Sequence, residues 1–104
     1  MNVPGIVLHG GTPLRRQQVA QRLLAHAPLH VRYSSRAAEA AKCLRDDTVV
    51  AVVLIDAPRD GASVRALVSA LVQSASTRPF VWEYDVSDEA GFVARVTGVG
   101  PQVP

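Results

Sequence analysis

Apolar and polar positions change rhythm several times along this chain. Val49-Val50-Ala51-Val52-Val53-Leu54-Ile55 is an unbroken apolar run that stops on Asp56. A run without alternation predicts a strand covered on both faces, the pattern of a central strand in a parallel α/β sheet. Residues 5–9, 29–33 and 80–84, the last opened by Pro79, predict three more strands. Between them the spacing turns helical. Val19, Ala20, Leu23, Leu24 and Ala27 fall on one side of a first helix and Arg15, Gln18 and Arg22 on another. Thr12 stands at its N-cap, Pro13 at its first position, and Pro28 closes it.

Ser34 and Ser35 precede a small-residue helix over residues 36–45, in which Ala37, Ala40, Ala41 and Leu44 allow close packing on a sheet. Ser63 begins a third helix with Val64, Leu67, Val68, Leu71 and Val72 inward. Ser87 begins a fourth, through Val96, with Ala90, Val93 and Ala94 inward. Residues 98–104 predict a weak fifth strand at a sheet edge, because proline lacks the ladder donor. Four βα units and this strand make a three-layer α/β sandwich around a parallel sheet.

With 104 residues the chain is one domain, burying roughly 65% of its unfolded surface in one core. Its 48% hydrophobic and 19% charged residues are globular, without a disorder signature. The longest apolar run is too short to cross a membrane, and no basic-then-apolar leader opens the chain, so a soluble cytoplasmic domain is expected. The single cysteine, Cys43, excludes an internal disulfide and a structural zinc site, and its neighbours Ala40, Ala41 and Leu44 suit a small packed side chain. Residues 1–52 hold seven Lys/Arg against three Asp/Glu, and residues 53–104 four against six. That polarity is too mild for a nucleic-acid footprint.

Ligands of parallel α/β sheets gather at the carboxyl ends of the strands, which places Asp56 and His9 where chemistry would be. Asp56 reads either as a functional carboxylate or as a cap on the turn before Asp60-Gly61. His9 reads either as a hydrogen-bonded structural histidine or as a site residue. Gly10-Gly11-Thr12 offers backbone donors and the positive end of a helix dipole to an anion, but matches neither the P-loop nor the G-x-G-x-x-G pattern. Glu83 and Tyr84 approach the carboxyl edge beside Trp82. Arg15, Arg22, Arg36 and Arg45 read as solvated helix faces.

The order of elements and several strings resemble the receiver domains of two-component response regulators. Ile6-Val7-Leu8-His9-Gly10-Gly11-Thr12-Pro13-Leu14 looks like their opening strand and turn, and residues 31–41 are similar to their second strand and helix. Asp56 matches the phosphoacceptor, and Val103-Pro104 falls where the family has Lys-Pro. The resemblance implies a flavodoxin-like sandwich with strand order 2-1-3-4-5, here lacking the final helix. In the family's frame His9 would lie beside Asp56.

The departures shape the functional expectation. Gly10 and Gly11 stand where the family holds Mg²⁺ with two acidic residues, Tyr84 where it has Ser/Thr, and Val103 where it has Lys. One carboxylate is a weak Mg²⁺ site, and without metal or lysine an attacking Asp loses its electrostatic support. A non-enzymatic pseudo-receiver is expected. It would need no cofactor and no metal and would act through a protein partner or fused effector domain, independently of phosphorylation. Phe92, Val96 and Val99 would form an open apolar surface suited to a homodimer. The alternative is a small anionic-ligand-binding or enzymatic domain using the Gly10-Gly11 turn with Thr12, His9 and Asp56.

Overall fold

The apolar run becomes strand β3, Val49–Ile55, beside β1, Gly5–Gly10. The computed structural model describes residues 3–57, 59–73, 75 and 79–98. In chain order the other elements are α1 (Pro13–Leu24), β2 (His30–Ser34), α2 (Ala37–Cys43), α3 (Gly61–Gln73), β4 (Phe80–Glu83), a 3₁₀ turn (Val86–Asp88) and α4 (Glu89–Thr97). The four strands form one sheet in the order β2-β1-β3-β4, and every pairing is parallel. The fifth strand expected from residues 98–104 lies outside the described residues, apart from Gly98, which ends α4 in the left-handed conformation at φ 70°.

The first three helices and the 3₁₀ turn ahead of α4 start where a side chain satisfies free backbone donors. Thr12 Oγ1 accepts from the Arg15 amide at 3.1 Å, as its position ahead of Pro13 suggested. Elsewhere acidic groups take the role that serines were expected to fill. Glu39 Oε1 reaches back to the amides of Ser35 and Arg36, both at 3.1 Å. Asp60 Oδ1 accepts from the Ala62 amide at 3.0 Å, and Asp85 Oδ1 from that of Ser87 at 3.0 Å.

The helices divide between the two faces of the sheet. Val19, Ala20 and Leu23 of α1 and Phe92 and Val93 of α4 pack on Ile6, Leu8, Ala51, Val53, Ile55 and Trp82. Ala40 and Leu44, in and after α2, and Leu71 of α3 pack on Val7, Val52 and Leu54. Both central strands are thus covered twice, which is why β3 tolerates no polar residue. A register irregularity between Gly5 and Ile6 leaves Val50 without a partner in β1, since Gly5 pairs with Val49 and Ile6 with Ala51. Val49 therefore faces α2 and α3, while Ala51, Val53 and Ile55 face α1 and α4.

The placement of α4 corrects the expected open surface. Phe92 is 1% exposed and stacks on Trp82 with ring centroids 4.3 Å apart, and Val96 is partly buried against the same core. Glu89, Phe92, Val93 and Val96 form the inward stripe at helical spacing, with Ala90 left exposed. Because α4 lies on the face of α1, it does the covering for which no later helix had been expected. Phe92 is therefore core. Val99 lies outside the described residues.

Candidate functional site

In the order β2-β1-β3-β4, the chain leaves β1 toward one edge and the later strands build toward the other. The crevice outside the carboxyl ends of β1 and β3 is the switch point where such sheets place ligands. His9, Gly10, Gly11 and Asp56 meet there. Gly10 (φ 96°) and Gly11 (φ 64°) let the turn pass close over β3: a Cβ on Gly10 would stand 2.6 Å from the Ile55 carbonyl oxygen.

The turn is held by a residue that sequence reasoning passed over. Arg16 is 8% exposed, and its Nη1 donates to the Gly10 carbonyl at 2.8 Å and the Gly11 carbonyl at 2.9 Å. The signal was its spacing, since Arg16, Val19, Ala20 and Leu23 share one stripe and an arginine on an apolar stripe must find internal acceptors.

Asp56 sits at φ 51°, a left-handed conformation that Asp adopts more readily than most residues. Its carboxylate is 3.8 Å from Arg15 Nε, with both side chains largely open to water, which makes the pair weak. Its Oδ2 would be 3.2 Å from a Cβ on Gly11, so the N-terminus of α1 already has a carboxylate beside it. The start of α3 is capped by Asp60, whose Oδ1 accepts from the Ala62 amide.

His9 is 8% exposed and stands opposite Ser34 of β2 and Leu54 of β3. Its Nδ1 lies 2.9 Å from Ser34 Oγ, and that hydroxyl donates to the Arg36 carbonyl at 2.8 Å. With its proton spent on Arg36, Ser34 must accept from His9, which assigns the hydrogen to Nδ1 and the lone pair to Nε2. Burial, then the charge of Arg16, lowers the His9 pKa below the usual 6.5, against a smaller opposing effect of Glu39. The imidazole is therefore neutral at neutral pH. His9 lines a pocket of about 150 Å³ with Gly10, Leu54, Ile55, Asp56, Ala57 and Leu67.

Tyr84 does not join this group. It continues β4, its amide donating to the Leu54 carbonyl at 2.9 Å, while its hydroxyl donates to Glu89 Oε2. Glu89 is 6% exposed and receives Arg22 in two-pronged fashion, at 2.6 Å from Nε and 3.2 Å from Nη2, with His26 Nε2 3.6 Å away. The Arg22 hydrogen bond holds the Glu89 carboxyl below its usual range, and burial together with Glu89 pushes the Tyr84 hydroxyl up. Arg22, expected as a solvated face, is thus a strut between α1 and α4; its partner is 67 residues away, beyond any local signal. Arg15 lies 5.4 Å from the centre of the Tyr84 ring and links the two groups of residues.

Thr12 is an exposed helix cap, and Val103 lies outside the described residues. No three His, Cys, Asp or Glu side chains among the described residues gather closely enough to hold a metal ion. No described helix is long and apolar enough to cross a membrane. No protein-family model matches the chain, and no curated protein or solved structure is significantly similar to it.

Proposed function

We propose that the chain is a degenerate receiver-like domain of flavodoxin-like topology, a cytoplasmic regulatory module that engages a protein partner or fused effector domain without phosphotransfer. The observation that carries this reading is the guanidinium of Arg16 on the carbonyls of Gly10 and Gly11. Those two positions are where the resemblance places the ligands of a divalent cation. A cation already sits on the oxygens of the turn, and it is part of the chain. Mg²⁺ demands near-octahedral oxygen coordination, and a second positive centre beside Arg16 would meet repulsion. Among the described residues, the cation paired with Asp56 is the exposed Arg15, a contribution worth little in water against charge on a phosphoryl group.

The anion-binding alternative loses support from the same geometry. Asp56 lies against the Gly10-Gly11-Thr12 turn and would repel an anion there. A partner's contact surface is better sought at Tyr33, which is 50% exposed and lines a groove with Pro13, Arg16 and Gln17, and at Leu14, 65% exposed next to Pro13 in the chain. Such exposed apolar side chains at one end of a sheet suit a docking patch.

Incubation with acetyl phosphate and Mg²⁺ should leave the mass unchanged; a labile phosphoryl adduct that Asp56→Asn abolishes would overturn the phosphotransfer half of the proposal. Photocrosslinkers at Leu14 and Tyr33, introduced in the native cells, should join the chain to one protein of distinct mass, with the yield unaffected by Asp56→Asn. No adduct from either position would overturn the partner half.

A further inference from the structure

β2 stands at an edge of the sheet, and among the described residues it pairs with β1 alone. The His30 amide donates toward β1, to the Pro4 carbonyl at 2.9 Å. Bonded residues alternate along a parallel ladder, so His30, Arg32 and Ser34 turn their backbone groups inward while Val31 and Tyr33 turn theirs outward. The next outward amide, that of Ser35, is already taken by Glu39 at 3.1 Å. Val31 and Tyr33 therefore offer two N–H and two C=O groups along the open edge, the set that one antiparallel strand satisfies.

Side chains sort the two faces of this edge by chemistry. Val31 packs against the α1–α4 core, and the half-exposed Tyr33 walls an open groove of about 300 Å³ with Pro13, Arg16 and Gln17. Arg16 is turned onto the Gly10 and Gly11 carbonyls, so the groove offers contact area rather than a free charge. His30 and Arg32 point to the α2 face. Arg32 reaches Asp46 through Nη2, yet its side chain is 33% exposed and a guanidinium has further donors to give. The edge thus alternates basic and apolar side chains, and its best neighbour alternates acidic and apolar ones, because opposite charges and apolar pairs stabilise adjacent strands. A second copy is a poorer fit. In the antiparallel register that uses Val31 and Tyr33 of both copies, the two Arg32 residues fall directly opposite each other and repel.

We propose that the edge of β2 takes up an extended segment of a partner protein, alternating acidic and apolar residues and added antiparallel as a new edge strand. Its main chain exchanges hydrogen bonds with Val31 and Tyr33, an apolar side chain opposite Tyr33 enters the groove, and an acidic one stands opposite Arg32. The inference rests on the reading of Tyr33 and Leu14 as a partner's contact surface and names the form the partner takes there.

The test is a titration of the ¹⁵N-labelled full chain with a capped peptide of sequence Thr-Glu-Leu-Glu-Val-Glu-Thr, read at the backbone amides. Val31 and Tyr33 should shift saturably and become protected from hydrogen exchange. A peptide with Lys in place of each Glu should give no saturable shift, nor should the first peptide N-methylated at its Leu and Val, which lacks the donors facing β2. Val31→Pro removes an outward N–H while the bonds to β1, made by the residues on either side, remain, and it should weaken binding about tenfold. Arg32→Glu should exchange the preference from the Glu peptide to the Lys peptide. The proposal is overturned by no saturable shift at Val31 and Tyr33, by an equal response to either control peptide, by unchanged affinity in a Val31→Pro chain whose Arg32 and Ser34 amides stay protected, or by a preference that Arg32→Glu leaves as it was. Protection of Val31 and Tyr33 that rises with concentration of the chain alone would give the edge to a second copy and overturn it too. Crosslinks from Leu14 and Tyr33 without any peptide response would refute the added strand and leave the partner reading standing.

Discussion

The two faces of the sheet are built differently. On the α1–α4 face, Phe80, Phe92 and Trp82 form a stack, Arg95 lies 3.8 Å from the centre of the Phe80 ring, and Glu89 joins Arg22, Tyr84 and His26 across 67 residues of sequence. On the α2–α3 face the contacts are aliphatic, and Ala40 and Leu71 are the buried residues within those two helices. Aromatic stacks and charge-assisted bonds are directional, whereas aliphatic contacts contribute buried area without a preferred direction. One face should therefore behave as a rigid backing and the other as a softer cover. The His9 pocket, with Leu54 and Leu67 in its wall, belongs to the softer side. Local opening should follow the same division, with α2 and α3 exchanging amide hydrogens before α1 and α4.

The largest effect should come from cutting the rigid face. Phe92→Ala should cost about 3–5 kcal/mol in urea unfolding, and Leu71→Ala should fall in the lower half of about 2–5 kcal/mol, because its half-exposed neighbours can close the gap. Equal costs would erase the distinction between the faces. Next is the seam between β1 and β3: Gly10→Ala combines a positive φ with a 2.6 Å clash against backbone and should cost about 2–4 kcal/mol.

A smaller effect separates the faces by pH. Glu89 has a lowered pKa, so its contribution is fully present above the unfolded carboxyl value near 4.3 and is lost as pH falls through its lower folded value. Glu89→Gln should be less stable than the parent chain at neutral pH, and the gap should close below about pH 4. A gap independent of pH would mean that the Arg22–Glu89 pair is not the bond that ties α1 to α4. Smallest of all, Asp56→Asn should change stability by less than about 0.5 kcal/mol, because its ion pair is exposed and long. A large gain in thermal midpoint would reveal repulsion at the carboxyl edge that the Arg15 contact does not relieve.

The elements were legible where a rule acts locally. The unbroken run of β3 announced burial on both faces, and Thr12-Pro13 announced the start of α1. Capping of the later helices was misread because Ser and acidic residues compete for the same donors, and at Glu39, Asp60 and Asp85 the carboxylate wins. The face chosen by α4 was not legible, since its stripe through Phe92 and Val93 reads the same against either side of a sheet. In the candidate site, the positions of His9 and Asp56 followed from strand ends. The roles of Ser34, Arg16 and Glu89 required the fold, because each is defined by a partner brought in through crossovers. Arg16 came nearest to betraying itself, as the one charged residue on the buried stripe of α1.

The placement of α4 also bears on how the chain matures. Synthesis runs from the N-terminus, and a parallel sheet offers no hairpin through which neighbouring strands could pair early. β1, β2 and β3 can assemble with α2 on one side while Ile6, Leu8, Val53 and Ile55 still await half of their cover. That cover arrives with residues 89–97, after every strand of the described sheet has left the ribosome. A nascent chain halted before α4 should thus present its apolar inner wall to chaperones and proteases, and completion of α4 should be the event that withdraws it.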